Sequence, residues 1–201
     1  MYTRVEPFPG RTLLQAAAAG ADLSAALRAA AVLFATVLTI AAAQVSIPLP
    51  FTPVPFTLQP MVVLLAGAAL GPRLGFTSQA IYLALGIVGL PVFAASPVLP
   101  QGVARLIGPT GGYLMSYPIA AFVAGYLAER GFDRRYLTSV LAMAAGLAIV
   151  FTFGVVWLAF GAPHVGLSAA IATGLVPFIP ADIVKICLAA TILPSAWRML
   201  K

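Results

Sequence analysis

Residues 177–187 read PFIPADIVKIC, and they place two ionisable groups, Asp182 and Lys185, inside an otherwise apolar C-terminal segment. On insertion scales a charge at the centre of a membrane helix costs roughly 3 kcal/mol. The rest of the chain shows which solvent this segment meets. Of its 201 residues, 62% are hydrophobic and only 8% are charged. A soluble domain carries about 25% charged residues. The composition is that of an all-α integral membrane protein, long enough for five to seven spans of about 20 residues each.

Working back from 177–187, hydropathy and proline placement divide the chain into a tail, 1–23, and a six-helix membrane domain, 24–201. The spans fall at about 24–46, 56–70, 74–90, 112–127, 136–160 and 180–193. Pro180 suits a first turn, and Pro194 closes the last span. Gln59 and Pro60 lie in the first turn of the second span. Residues 16–20, AAAAG, suit a helix to which no role is assigned. Residues 161–177 are looser, with a short interfacial helix in their middle. Between the first two spans, IPLPFTPVP (47–55) has four prolines in nine residues. Each removes a donor and biases its predecessor to extended structure, so this is a stiff loop and not a helix. It is read as the lid or wall of a site. The second long loop, 91–108, contains Arg105 as its only charge.

Net charge is +6, but the basic residues are dispersed and read as topology signals, not as a nucleic-acid patch. With six spans both termini share a face, together with Arg4, Arg11, Arg28, Arg73, Arg130, Arg134, Arg135, Arg198 and Lys201. Arg105 and Lys185 belong to the other. Nine against two puts both termini in the cytoplasm by the positive-inside rule. The proline-rich loops and the start of the last span then face outward.

The chain has one cysteine, Cys187, and one histidine, with no CxxC, HExxH, GxGxxG or P-loop. No metal site, cofactor or nucleotide-binding motif is expected. Asp182 and Lys185, at i and i+3, share a helix face and can pair. They are either a structural ion pair or the floor of a binding site. A structural pair gains little over apolar packing, and intramembrane charges are functional candidates by default. Arg105 reads as a solvated or headgroup-facing arginine, or as a clamp for a carboxylate. Phe51, Phe56, Phe93, Tyr113 and Tyr117 are available to cover the apolar part of a ligand, and Gln59 to donate a hydrogen bond. The span-1 alanines Ala26, Ala30, Ala31 and Ala35 have small-xxx-small spacing, which suits internal packing or docking of a partner.

Four stretches resemble the BioY family of biotin-specific S components of energy-coupling factor (ECF) transporters: QVSIPLPFTPVPFTLQP (44–60), GLPVFA (89–94), GPTGGYLMSYPIAAFVAG (108–125) and PFIPADIVK (177–185). The resemblance implies a six-helix S-component bundle in the membrane lipid of a prokaryotic cell, multi-pass, with biotin bound at the outer face as transported substrate. It implies as partners a transmembrane coupling protein (the T component) and two ABC-type ATPase subunits. The family's acidic and basic pair on the last helix matches Asp182 and Lys185. Some members use an asparagine in the third loop. No counterpart stands between residues 91 and 108, and Arg105 is the candidate there. The alanine face of span 1 would dock the coupling protein. A solitary carrier without ATPase partners is the alternative. A membrane enzyme using Asp182 as general base lacks a second catalytic group.

Overall fold

The computed structural model describes residues 10–18, 24–96, 99–161 and 163–200. Within them the chain is a helical bundle. A short helix α1 (Leu13–Ala17) precedes α2 (Ala25–Gln44), α3 (Gln59–Leu70) and α4 (Pro72–Ile87). Then come a five-residue α5 (Val103–Ile107), α6 (Gly111–Glu129), α7 (Tyr136–Phe160), α8 (Leu167–Gly174) and α9 (Ile179–Met199). Three of these, α2, α7 and α9, are long and apolar enough to cross a membrane by themselves. The expected second and third spans are short. α3 has 12 residues and α4 has 16, so α3 reaches about 18 Å at 1.5 Å per residue. A single residue, Gly71 (φ 86°), joins them.

α6 is the centre of the bundle, packed against α3, α4 and α7. From residue 120 onward its buried face is made of small residues, Ala120, Ala121, Ala124, Gly125 and Ala128. In lipid, helices associate through close backbone approach rather than through hydrophobic exclusion. The closest approach lies where α3, α4 and α6 meet. A Cβ at Gly67 would run into the Ala121 carbonyl, one at Gly75 would lie 2.7 Å from Gly67 Cα, and one at Gly125 would lie 2.6 Å from Pro72 N.

Four local expectations are corrected. The 47–55 segment is closed at both ends by a short antiparallel ladder, Ser46–Ile47 against Phe56–Thr57. It forms at the flanking positions, where every residue has an N–H to give. The helix expected near 16–20 lies at Leu13–Ala17, where Thr12 and Gln15 form a capping box and Leu13 and Ala16 are buried. Arg105 sits on helical turn α5, inside what was read as a loop. Finally, α9 does not stop before Pro194 but continues to Met199. The reason is tertiary. Trp197 Nε1 donates to Asp133 Oδ2 at 2.6 Å, and the Arg134 guanidinium lies 3.8 Å from the Trp197 ring centroid. This ties the last turn of α9 to the turn between α6 and α7. Arg4, Lys201 and most of the expected tail lie outside the described residues.

Burial raises the Asp133 carboxyl above its ordinary value, outweighing the Trp197 bond and the Arg134 charge. The folded chain therefore holds this proton more tightly than the unfolded chain. Its contribution is full below the unfolded pKa and is lost as pH rises through the folded pKa. Asp133→Ala leaves the Trp197 N–H without its acceptor and should cost about 1–3 kcal/mol. Asp133→Asn keeps an acceptor oxygen, so it should cost less and remove that acid-range slope. Thermal melts in detergent from acid to neutral pH check both outcomes.

Candidate functional site

The polar groups at the other end converge on one pocket. Its floor is the first turn of α9, where the helix dipole favours the Asp182 carboxylate. Lys185 Nζ lies 2.6 Å from Asp182 Oδ1 and donates to the Thr57 carbonyl at 2.6 Å. It also stands 3.6 Å from the Phe56 ring centroid. Asp182 is 3% exposed and Lys185 7%. One ammonium group thus binds α9 to the strand that follows the proline-rich loop.

Arg105 lines the same pocket. It is 1% exposed, and its Nη2 donates to the Ala94 carbonyl, while Nη1 has no acceptor among the described residues. Burial lowers its pKa below the ordinary arginine value, but a guanidinium keeps its proton in proteins. Thr110 Oγ1, at the start of α6 and also lining the pocket, is likewise buried without a partner among the described residues. A buried donor without an acceptor is costly, so both point to a ligand oxygen.

Gln59, Tyr113 and Tyr117 line the same pocket. Gln59 Nε2 donates to Tyr82 Oη at 2.6 Å, and Tyr82 Oη donates to the Val92 carbonyl at 3.3 Å. Tyr113 Oη donates to the Gly174 carbonyl at 2.7 Å. The rings of Tyr82 and Tyr113 are therefore locked by their own hydroxyls. The free interior measures about 50 Å³, below the few hundred Å³ of an ordinary ligand site. The pocket is therefore narrow in this conformation.

Six of the nine expected ligand-contacting residues line the pocket: Gln59, Arg105, Tyr113, Tyr117, Asp182 and Lys185. Three do not. Phe51 is 60% exposed at the loop tip. Phe93 lies behind the wall, edge-on to Tyr82 with centroids 5.6 Å apart, and is packed onto Gly86. Phe56 reaches the site only through the Lys185 ammonium group. Sequence reasoning missed the Thr57 carbonyl, which has no side-chain signal, and the Thr110 hydroxyl. It also missed Tyr82, a tyrosine in an apolar span whose ring stacks on Tyr117 at 6.4 Å.

The alanine face of α2 is divided. Ala26 and Ala30 are exposed and Ala31 is half-buried, but Ala35 is 4% exposed and faces the bundle. It shares that inner side with Thr36, which donates to the Ser78 carbonyl at 3.0 Å, and with Thr39, which accepts from Gln79 Nε2 at 3.2 Å. Ala35 is therefore not available to a partner in this conformation. Among the described residues no group of three His, Cys, Asp or Glu is placed to hold a metal ion.

Residues 15–201 match the model of the BioY family. The chain is 44% identical over 158 residues to a probable biotin transporter BioY of Pyrococcus horikoshii, covering 77% of this chain and 86% of that one. It is 41% identical over 160 residues to the biotin transporter BioY of Thermotoga maritima, covering 78% and 88%. Among solved structures it resembles an S component for biotin from an ECF-type ABC transporter. The TM-score is 0.74 at 30% identity, over 86% of this chain and 89% of the other.

Proposed function

The chain belongs to the BioY family, a family of transporter S components and not of enzymes, and from that premise we propose that it is the biotin-binding subunit of an ECF-type uptake transporter. The observation that carries the binding site is the pairing of Asp182–Lys185 with an unsatisfied Arg105 Nη1 across one pocket. Biotin has one carboxylate at the end of a flexible tail and a ureido ring with two N–H donors and one carbonyl. Lys185 already holds a carboxylate and a carbonyl, whereas Arg105 has a free donor. Arg105 therefore takes the biotin carboxylate, and Thr110 stands beside it. Asp182 accepts from a ureido N–H, and Lys185 or Gln59 donates to the ureido carbonyl. Tyr113 and Tyr117 flank the ring system.

The carboxylate assignment is tested with an ester. A charge-assisted hydrogen bond contributes about 1.5–3 kcal/mol, so biotin methyl ester should bind the native chain roughly ten- to a hundredfold more weakly than biotin. In Arg105→Ala both ligands should bind weakly and almost equally, as read by calorimetry. An undiminished preference for the acid in that variant would move the carboxylate elsewhere.

The same reading gives six crossings of a prokaryotic cell membrane, both termini in the cytoplasm and the pocket outward. It is supported by the grouping of Arg11, Arg28, Arg73, Arg130, Arg134, Arg135 and Arg198 away from the pocket. The chain has no nucleotide motif of its own, so ATP-driven uptake needs a coupling protein and ATPase subunits. The exposed Ala26–Ala30 side of α2 is the docking face for the coupling protein. Uptake of radiolabelled biotin should require those subunits in reconstituted vesicles. Full uptake by this chain alone would establish a solitary carrier instead.

A further inference from the structure

We infer that the lipid-facing side of α6 ends in a binding site for an anionic phospholipid, with the headgroup phosphate between Arg130 and Arg135 and an acyl chain along Tyr126 and Phe122. The site lies at the end of the bundle away from the pocket. It rests on the membrane reading of the chain but not on what the pocket binds.

α6 is enclosed on most sides, and its large exposed apolar side chains form one stripe. Met115, Ile119, Phe122 and Tyr126 are 36–41% exposed. They recur at helical spacing, and the next position in the series is Arg130. The upper part of this stripe is an ordered stack. Phe122 and Tyr126 lie 6.3 Å apart at an interplanar angle of 12°, and the Arg130 guanidinium carbon stands 3.8 Å from the Tyr126 centroid. A guanidinium flat on a ring keeps its N–H edge for an acceptor.

Beside it opens a groove of about 480 Å³ lined by Arg130, Gly131, Arg134, Arg135 and Thr138, with Glu129 and Phe132. Arg134 is committed to Asp133, Trp197 and the Arg11 carbonyl. Arg130 and Arg135 are exposed, have no ion-pair partner among the described residues, and remain for an external anion. Among the described residues Glu129 is the only acid on the groove, and its carboxylate turns towards Gly71, where an added Cβ would lie 2.9 Å from Oε1. Two guanidinium groups at the head of an aromatic stripe match a phosphate joined to a hydrocarbon chain. A free phosphate would use only the first half of that surface. Basic pockets at a membrane surface select anionic headgroups in this way.

The test compares nanodiscs of phosphatidylcholine alone with nanodiscs containing a minority of phosphatidylglycerol. Phosphatidylglycerol should raise the Tm of the native chain by about 2–4 °C, the shift expected for roughly 1 kcal/mol in a chain of this size. In Arg130→Gln/Arg135→Gln that rise should disappear, and native mass spectrometry should find the retained phosphatidylglycerol lost. Arg28→Gln/Arg73→Gln, a second cation pair at the same end, should keep the rise. An undiminished rise in the first pair overturns the site, as does equal loss in both pairs. So does reproduction of the rise by inorganic phosphate in phosphatidylcholine discs. Biotin binding, measured on the same discs, varies independently of these outcomes.

Discussion

Asp182→Asn and Lys185→Ala should each weaken biotin binding at least about tenfold, corresponding to some 1.4 kcal/mol or more. The two substitutions do different damage. Asn keeps the shape of Asp182 and leaves Lys185 its Thr57 carbonyl and the Phe56 ring, so the fold should hold and the loss should be mainly in affinity. Lys185→Ala strands a carboxylate that is 3% exposed and frees the Thr57 carbonyl. Breaking a buried pair from one side costs about 3–5 kcal/mol, so the melting temperature should fall as well. The double variant Asp182→Asn/Lys185→Met separates the two readings of the pair. Replacing both charges of a buried pair is often neutral or stabilising, so stability should largely return. If the pair only steadied α9, affinity would return with it. Calorimetry should instead find biotin binding still lost. Native affinity in this double variant would remove Asp182 and Lys185 from the site.

Gly67→Val should abolish the folded bundle. Gly67 of α3 faces the Ala121 carbonyl of α6, and Gly75 of α4 closes the third side, its missing Cβ only 2.7 Å from Gly67 Cα. No side chain is there to rotate away, since every neighbour in contact is backbone. Overpacking among side chains costs about 1–3 kcal/mol, and a clash with fixed backbone exceeds that range. Separation of α3 from α6 would also displace Gln59, at the start of α3, from Tyr82 and the pocket. The expected result is aggregation on size exclusion in detergent and no biotin binding. Gly89→Ala is the control. Gly89 has φ 96° but nothing within 4 Å of an added Cβ. It should therefore show only the modest cost of a strained backbone, about 1–3 kcal/mol, with a monodisperse chain that still binds.

Hydropathy located most of the helices because long apolar runs bounded by turn residues leave little choice. The fifth expected span, 136–160, coincides with α7, and the first differs from α2 by a residue or two at each end. Asp182, Lys185 and Arg105 were legible because charges in an apolar chain are costly and rare. What sequence did not carry was direction and distance. Phe51 and Phe56 sit five residues apart in one proline-rich stretch, yet one points outward and the other meets the Lys185 ammonium group. A ladder two residues long is too short to alternate visibly. Ala35 looked like Ala30, because small-residue spacing does not say which side of a helix its neighbours occupy. Pro194 read as a stop because the bond that holds the helix beyond it comes from Asp133, 64 residues away.

The pocket contains one carboxylate and two cationic side chains, Asp182 against Lys185 and Arg105. It therefore holds a single uncompensated positive charge until a ligand arrives. A monocarboxylate such as biotin would bring that sum to zero. Moving one elementary charge through the whole membrane potential involves about 2.3 kcal/mol per 100 mV. A loaded pocket would cross the field without electrical work, whereas the empty pocket returning outward would carry its positive charge against an inside-negative potential. Transport driven by such a subunit should then respond to voltage in the return of the empty carrier and not in the delivery of its cargo.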